Sequence, residues 1–177
     1  VIELDNLEFK NSFKLKSIFP KINKNIFFKN HVIKLSYDKE NLDVTGKGNV
    51  LFQEKLDKIK YEISKKEKQT EFNVNLDISK NQFLINILNF KKIENYNLKL
   101  NIKGKKEQKK ELLLEEIFLK EKDNLIKIEK INFSKDYKIN DFESIKINYL
   151  DKEDLKNEIQ IIKKNKVYLI KGNSFNI

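Results

Sequence analysis

The sequence predicts an all-β chain: an elongated, curled antiparallel β-meander, a groove-like sheet with at most one or two short helices. Three observations predict it. Apolar and polar residues alternate with period two in stretch after stretch, as in a strand with one apolar and one polar face. The apolar residues are almost all Ile, Leu, Val, Phe and Tyr, with no Ala, Cys, Met or Trp; such bulky, often β-branched side chains suit a pleated surface better than a helix. The stretches are separated by short turn signals. Short connections force antiparallel pairing, because a parallel pair needs a crossover of about a dozen residues or more.

Along the chain, the first alternation is Ile33-Leu35-Tyr37, followed after the turn signal Asp38 to Asn41 by Leu42-Val44. The next is Phe72, Val74, Leu76 and Ile78, interleaved with Asn73, Asn75 and Asp77. Tyr96, Leu98, Leu100 and Ile102 alternate with Asn97, Lys99 and Asn101. Shorter pieces follow at Ile126-Ile128, Ile131-Phe133, Ile145-Ile147-Tyr149 and Ile159-Ile161, with turn signals at Asp123-Asn124, Lys135-Asp136, Asp151 to Asp154 and Lys164-Asn165. About ten strands at ~4.8 Å spacing would extend ~45–50 Å, long enough to twist and curl.

Three stretches read both ways. Residues 51–68 place Phe52, Leu56, Ile59 and Ile63 at helical spacing, yet Ile59-Tyr61-Ile63 alternates, and a strand from about 58 to 64 is the preferred reading. Residues 107–121 suit a helix, or strands broken by a turn near Glu115-Glu116. Phe83 to Phe90 suits one or two helical turns, and Pro20 marks an irregular stretch over 16–30. Three apolar runs lead into a glycine, at Val44 to Gly48, Leu100 to Gly104 and Leu169 to Gly172. Glycine in a strand pattern marks a bulge or bend, so this echo suggests a sheet that curls at intervals.

The net charge is +10, and all 37 basic residues are Lys. With Lys, Asn, Ile and Phe abundant and Ala, Arg and Pro scarce, coding bias accounts for the charge. A nucleic-acid binder would recruit Arg for bidentate contacts, and no nucleic-acid partner is expected. The bulky apolar set argues against disorder. No Cys means no disulfide framework and no thiolate metal site. The single histidine, His31, cannot build a paired metal site or a Ser-His-Asp triad, and a surface role is expected for it. Gly46-x-Gly48 lacks the third glycine and the helix of a phosphate loop, and Glu115-Glu116 reads as solvated charge. Nothing supports catalysis, a cofactor or a metal. Basic runs such as Lys105-Lys106 and Lys163-Lys164 fall in expected turns, where they guard edges or attract anionic headgroups. No apolar run approaches the ~20 residues that span a bilayer, and no signal-peptide pattern opens the chain. Because it begins at Val1 rather than Met, residues 1–177 are read as a single β-rich segment excised from a longer repeat-type protein, with any membrane anchor outside it.

From about residue 70 onward the order of elements carries a resemblance. A strand ending Leu76-Asp77-Ile78-Ser79 leads to a short apolar segment, Phe90-Lys91-Lys92 and the strand Tyr96 to Lys103. A long alternating region then closes on Val167-Tyr168-Leu169-Ile170-Lys171-Gly172-Asn173-Ser174-Phe175. This resembles the domain found in the YhdP-like branch of the AsmA-like proteins, over roughly two-thirds of the chain. The resemblance implies a non-enzymatic, inner-membrane-anchored protein on the periplasmic side, whose repeated β-groove conducts phospholipids toward the outer membrane. Its partners would be phospholipid acyl chains and neighbouring β-repeats of the same chain. The expected lining is Ile33, Leu35, Tyr37, Phe72, Val74, Leu76, Ile78, Tyr96, Leu98, Leu100, Ile102, Ile126, Ile128, Ile145, Ile147, Tyr149, Ile159, Ile161 and Leu169. The alternative is a structural β-module of a surface or assembly protein, its apolar face closed in a dry core.

Overall fold

Alternating β-branched and aromatic side chains favour a pleat whose apolar faces line up across strands. A computed structural model describes residues 1–12, 15–108, 111–136 and 138–175. Its strands are β1 (Ile2–Lys10), β2 (Asn25–Asp38), β3 (Asn41–Leu51), β4 (Asp57–Lys66), β5 (Gln69–Ile78), β6 (Leu84–Ile85), β7 (Phe90–Lys91), β8 (Leu98–Glu107), β9 (Leu112–Glu121), β10 (Asn124–Phe133), β11 (Ile139–Asp141), β12 (Ser144–Leu150), β13 (Lys156–Lys164) and β14 (Val167–Ser174), with one 3-10 turn at Asn86–Leu88. Twelve strands form one sheet in the order β1-β2-β3-β4-β5-β8-β9-β10-β12-β13-β14, with β11 attached to β10, while β6 and β7 make a separate hairpin. The order follows the chain, so the sheet is a meander. β1 and β14 are its two edges, and it is open rather than closed into a barrel.

Several local expectations are corrected. Residues 112–121 form one unbroken strand, neither a helix nor two strands split by a turn. Ile126-Ile128 and Ile131-Phe133 belong to the single strand β10. The helical piece within 83–90 shrinks to the turn at Asn86–Leu88 between β6 and β7. Lys105-Lys106 and Lys163-Lys164 lie at strand ends rather than in turns. β1, which the alternation reading passed over, pairs with β2 from Ile2↔Ile33 to Lys10↔Asn25.

The apolar face keeps its phase through compensating irregularities. In β2, Asn30 and His31 together oppose Gly48, and Asn30 adopts a positive φ of 48°. In β9, Glu115 is the extra residue opposite Lys103-Gly104, and its neighbour in β10, Lys130, has φ 50°. In β14, Asn173 is the extra residue between Gly172 and Ser174. Each such bulge shifts the alternation by one residue.

All the glycines have φ outside the left-handed region, so they serve close approach rather than turning. A Cβ at Gly46 would enter the Tyr61 ring, and one at Gly104 would lie 2.6 Å from the Leu113 carbonyl oxygen and 2.8 Å from the Phe72 ring. The room left by Gly46 and Gly48 is filled by stacked rings. His31 stacks on Tyr61 with centroids 5.6 Å apart and meets Phe28 edge-on at 5.1 Å. His31 is therefore 1% exposed rather than on the surface. It sits there because glycine opposite the bulge makes a slot for a flat ring. Neither ring nitrogen finds a hydrogen-bond partner, and burial lowers the imidazole pKa.

Two outcomes follow. Gly46→Ala should destabilise the fold by about 1–3 kcal/mol through overpacking, and the same change in a Tyr61→Ala background should cost clearly less; denaturant unfolding of the four-variant cycle measures the difference. A base whose folded pKa lies below its unfolded value contributes full stability above about pH 6.5 and loses it as pH falls through that value. Unfolding free energy should therefore drop on acidification below about pH 6.5, and His31→Phe should flatten that part of the profile.

Candidate functional site: one apolar face from edge to edge

The sheet register places one residue per strand on a common face at each level along the strands. The central level runs Ile2, Ile33, Gly46, Tyr61, Val74, Ile102, Ile117, Ile128, Ile145, Ile161 and Ile170, crossing all eleven strands of the main path. Ten spacings of ~4.8 Å make this ladder about 48 Å long. Gly46 is its one residue without a side chain, and the Tyr61 ring covers it. A second apolar level runs beside it through Ile59, Leu76, Leu100, Leu119, Ile126, Ile147 and Ile159. A third, on the other side, runs Leu35, Val44, Ile63, Phe72, Gly104, Leu114 and Ile131. The opposite face carries Lys58, Lys60, Glu62, Asn73, Asn75, Asn101, Glu116 and Lys127, bound by pairs such as Lys127–Glu116 at 3.2 Å and Asn101–Asn75 at 2.9 Å.

Of the residues expected on the lining, seventeen share this face: Ile33, Leu35, Tyr37, Phe72, Val74, Leu76, Ile78, Leu98, Leu100, Ile102, Ile126, Ile128, Ile145, Ile147, Tyr149, Ile159 and Ile161. Two do not. Leu169 pairs with Ile162, on the opposite face, while Ile170 takes the inward position opposite Ile161. The run Val167 to Ile170 is apolar at every position, so alternation there has no phase to read. Tyr96 precedes β8 and lies 42% exposed in the loop, with the Lys122 ammonium 5.1 Å from its ring centre. Ile117, Leu119 and Leu114 were missed because β9 is apolar on both faces and the bulge at Glu115 breaks its period, while Ile131 joins this face because β10 shifts by one residue at Lys130, where φ is 50°.

Among the described residues, cover lies over one flank of the face. Two segments fold over it: residues 15–22, with Leu15, Ile18, Phe19 and Ile22, and the β6–β7 hairpin, with Phe83 and Phe90. They join through Leu84 N–H donating to the Ile18 carbonyl at 2.9 Å and through edge-on packing of Phe19 and Phe83. Phe90 packs edge-on against Tyr149, whose hydroxyl donates to the Leu88 carbonyl. Together they form a plug that buries Ile78, Leu98, Leu119 and Ile126 to 2% exposure or less. Beyond it Val74, Ile102, Ile117, Ile128, Ile145 and Ile161 remain half-buried, and no second sheet covers them among the described residues.

The plugged flank carries buried polar groups tied to the plug. Asp57 accepts from Ser79 N–H at 3.1 Å and Asn81 Nδ2 at 2.7 Å. Glu121, which pairs with Leu98 across the sheet, accepts from Ile93 N–H at 2.8 Å and Asn124 Nδ2 at 3.2 Å. Lys92 donates to the Ser79 carbonyl at 2.7 Å. Burial is the largest influence on all three: it raises the pKa of Asp57 and Glu121 and lowers that of Lys92, opposed by their hydrogen bonds and mutual attraction. Burial pushes the Tyr149 phenol up to about 12. These groups fasten the plug, and Lys92 also borders a depression of about 250 Å³ beside Asn81 and Gln53.

Among the described residues no group of three or more His, Cys, Asp or Glu side chains is placed to hold a metal. No helix among the described residues is long and apolar enough to cross a membrane, which says nothing of β-barrels. No family model, no curated protein and no solved structure matches the chain.

Tyr149→Phe should loosen the plug without disturbing the sheet, at a cost of about 1 kcal/mol for the lost hydrogen bond. Hydrogen exchange should quicken at amides of 84–92 and remain unchanged at β3–β5.

Proposed function

We propose that this chain is a lipid-handling β-segment whose uncovered apolar face binds phospholipid acyl chains and lets them pass along the sheet. The observation that carries this is the edge-to-edge ladder from Ile2 to Ile170. A bilayer hydrocarbon core of about 30 Å holds two layers of chains, so one acyl chain needs about 15 Å. A face about 48 Å long accommodates such a chain anywhere along it, and its central ladder offers no fixed polar contact to stop it. An open sheet must bury its apolar face against something, and acyl chains are suitable cover. The resemblance to the YhdP-like branch of the AsmA-like proteins adds a setting: a segment on the periplasmic side of the inner membrane, within an anchored protein that moves phospholipid toward the outer membrane. In that setting the exposed edges β1 and β14 join neighbouring β-repeats.

The structural-module reading draws on the closed core around Phe19, Phe83, Phe90 and Tyr149. That core covers one flank only, and the half-buried central ladder is what favours lipid.

Native mass spectrometry and solvent extraction of the purified chain should find co-purified phospholipid. Ile102→Lys and Ile128→Lys, at half-buried positions where a lysine can extend its ammonium to water, should reduce it several-fold while circular dichroism stays β-rich. Leu169→Lys, on the other face, should leave it unchanged. A lipid-free, cooperatively folded native chain would instead support the structural module.

A further inference from the structure

We propose that the uncovered flank of the apolar face selects anionic amphiphiles, with Lys65 and Lys106 holding the charged headgroup; this rests on the lipid reading above. The face ends, on the side away from the plug, in a level running Leu42, Lys65, Thr70, Lys106 and Leu112. These two lysines belong to the apolar side of the sheet, unlike Lys58 and Lys60, which point to the charged side. Cross-strand neighbours stand about 5 Å apart at Cβ, so Lys65 and Lys106 flank Thr70 roughly 10 Å from each other.

Between them lies a depression of about 420 Å³ bordered by Lys65, Lys68, Lys106, Thr70, Phe72 and Leu112, with Glu67 and Glu107 at its margin. Its floor joins the apolar levels through Phe72, which pairs with Ile63 and Gly104. A lysine in such a place lays its methylenes on the apolar floor and carries its ammonium to the water boundary. The opposite flank of the same face holds the carboxyl groups of Asp57 and Glu121 beneath the plug. Beneath the plug those carboxyls are balanced by Lys92 and closed off, so an amphiphile lying on the face meets its accessible cations at the Lys65–Lys106 rim, and its anionic head belongs there. Thr70 stands between the two lysines in the sheet and offers its hydroxyl as a further donor to a phosphate oxygen.

The test loads the delipidated chain with an equal mixture of phosphatidylglycerol and phosphatidylcholine of identical acyl chains and counts single-lipid complexes by native mass spectrometry. The native chain should favour phosphatidylglycerol by about thirtyfold, the scale expected of two lysines near an anionic headgroup. Lys65→Gln/Lys106→Gln should bring the ratio near one through loss of bound phosphatidylglycerol. Lys58→Gln/Lys60→Gln, which removes the same charge from the other face, should keep the preference. Equal binding of both lipids by the native chain overturns the proposal while leaving the lipid reading intact. So does a preference lost equally in both double variants, or one seen in vesicle flotation but absent from single-lipid complexes, which would assign the charge to docking on a membrane surface. Binding of neither lipid overturns the lipid reading itself.

Discussion

The constraint on which the structure depends is phase. Side chains in a strand change face at every residue, so one apolar ladder can cross eleven strands only if every connection preserves register. A slip of one residue in any hairpin would send the following apolar set to the water side. The two-residue connections at Lys39-Glu40, Glu67-Lys68, Lys122-Asp123 and Asn165-Lys166 leave no slack for such a slip. Where the apolar pattern itself changes phase, adjacent strands change together: β1 with β2 around Asp5 and Asn30, and β9 with β10 at Glu115 and Lys130. The paired change keeps both strands aligned while turning Glu115 out to Lys103, at 3.2 Å, on the charged side.

Glycine usage follows from the same constraint. A chain with four glycines could have used them at its hairpins, where a positive φ is needed. Instead Lys39, Glu67, Lys122 and Asn165 take positive φ there, and the glycines sit where a Cβ would collide. Gly46 and Gly48 admit Tyr61 and His31, and Gly104 and Gly172 lie against bulged backbone. Close approach beside a bulge has no substitute, because the obstructing atoms at Gly104 and Gly172 include main-chain oxygens. A left-handed turn residue, by contrast, costs a non-glycine about 1–2 kcal/mol and can be tolerated several times over.

The alternating runs at 72–78, 98–102 and 145–149 revealed both the strand and its inward side, since only one phase was apolar. Legibility failed wherever both phases were. β9 reads Leu-Leu-Leu-Glu-Glu-Ile-Phe-Leu, and its bulge imitates helical spacing, so neither its type nor its face could be read locally. Leu169 failed for the same reason in Val167 to Ile170. The plug was visible only as an apolar stretch around Phe83 to Phe90, because its role comes from contacts with residues 15–22 and Tyr149, far away in sequence. His31 was misjudged because its burial depends on a glycine across the sheet, a relation that no local pattern encodes.

Whether this sheet is an ordinary domain with a small core or a surface for lipid turns on how much cover the chain supplies. An antiparallel sheet normally wets one face and buries the other against a second layer. Among the described residues the covering elements are residues 15–22 and the β6–β7 hairpin, which together shield the level around Leu98 and the one beside it. A domain free to evolve toward a closed core would shorten or polarise the uncovered strands. These strands instead place an apolar residue at ten of the eleven central positions, out to Ile170 on an edge strand that remains 65% exposed there. Exposed apolar surface of this extent carries a standing aggregation cost, and both edges of the sheet add to it. The charged side, dense in Lys–Glu pairs, offsets that cost in water and does nothing to reduce it on the apolar side. That cost is offset only where something covers the apolar side, and acyl chains, the cover proposed above, supply apolar contact without a second layer of protein.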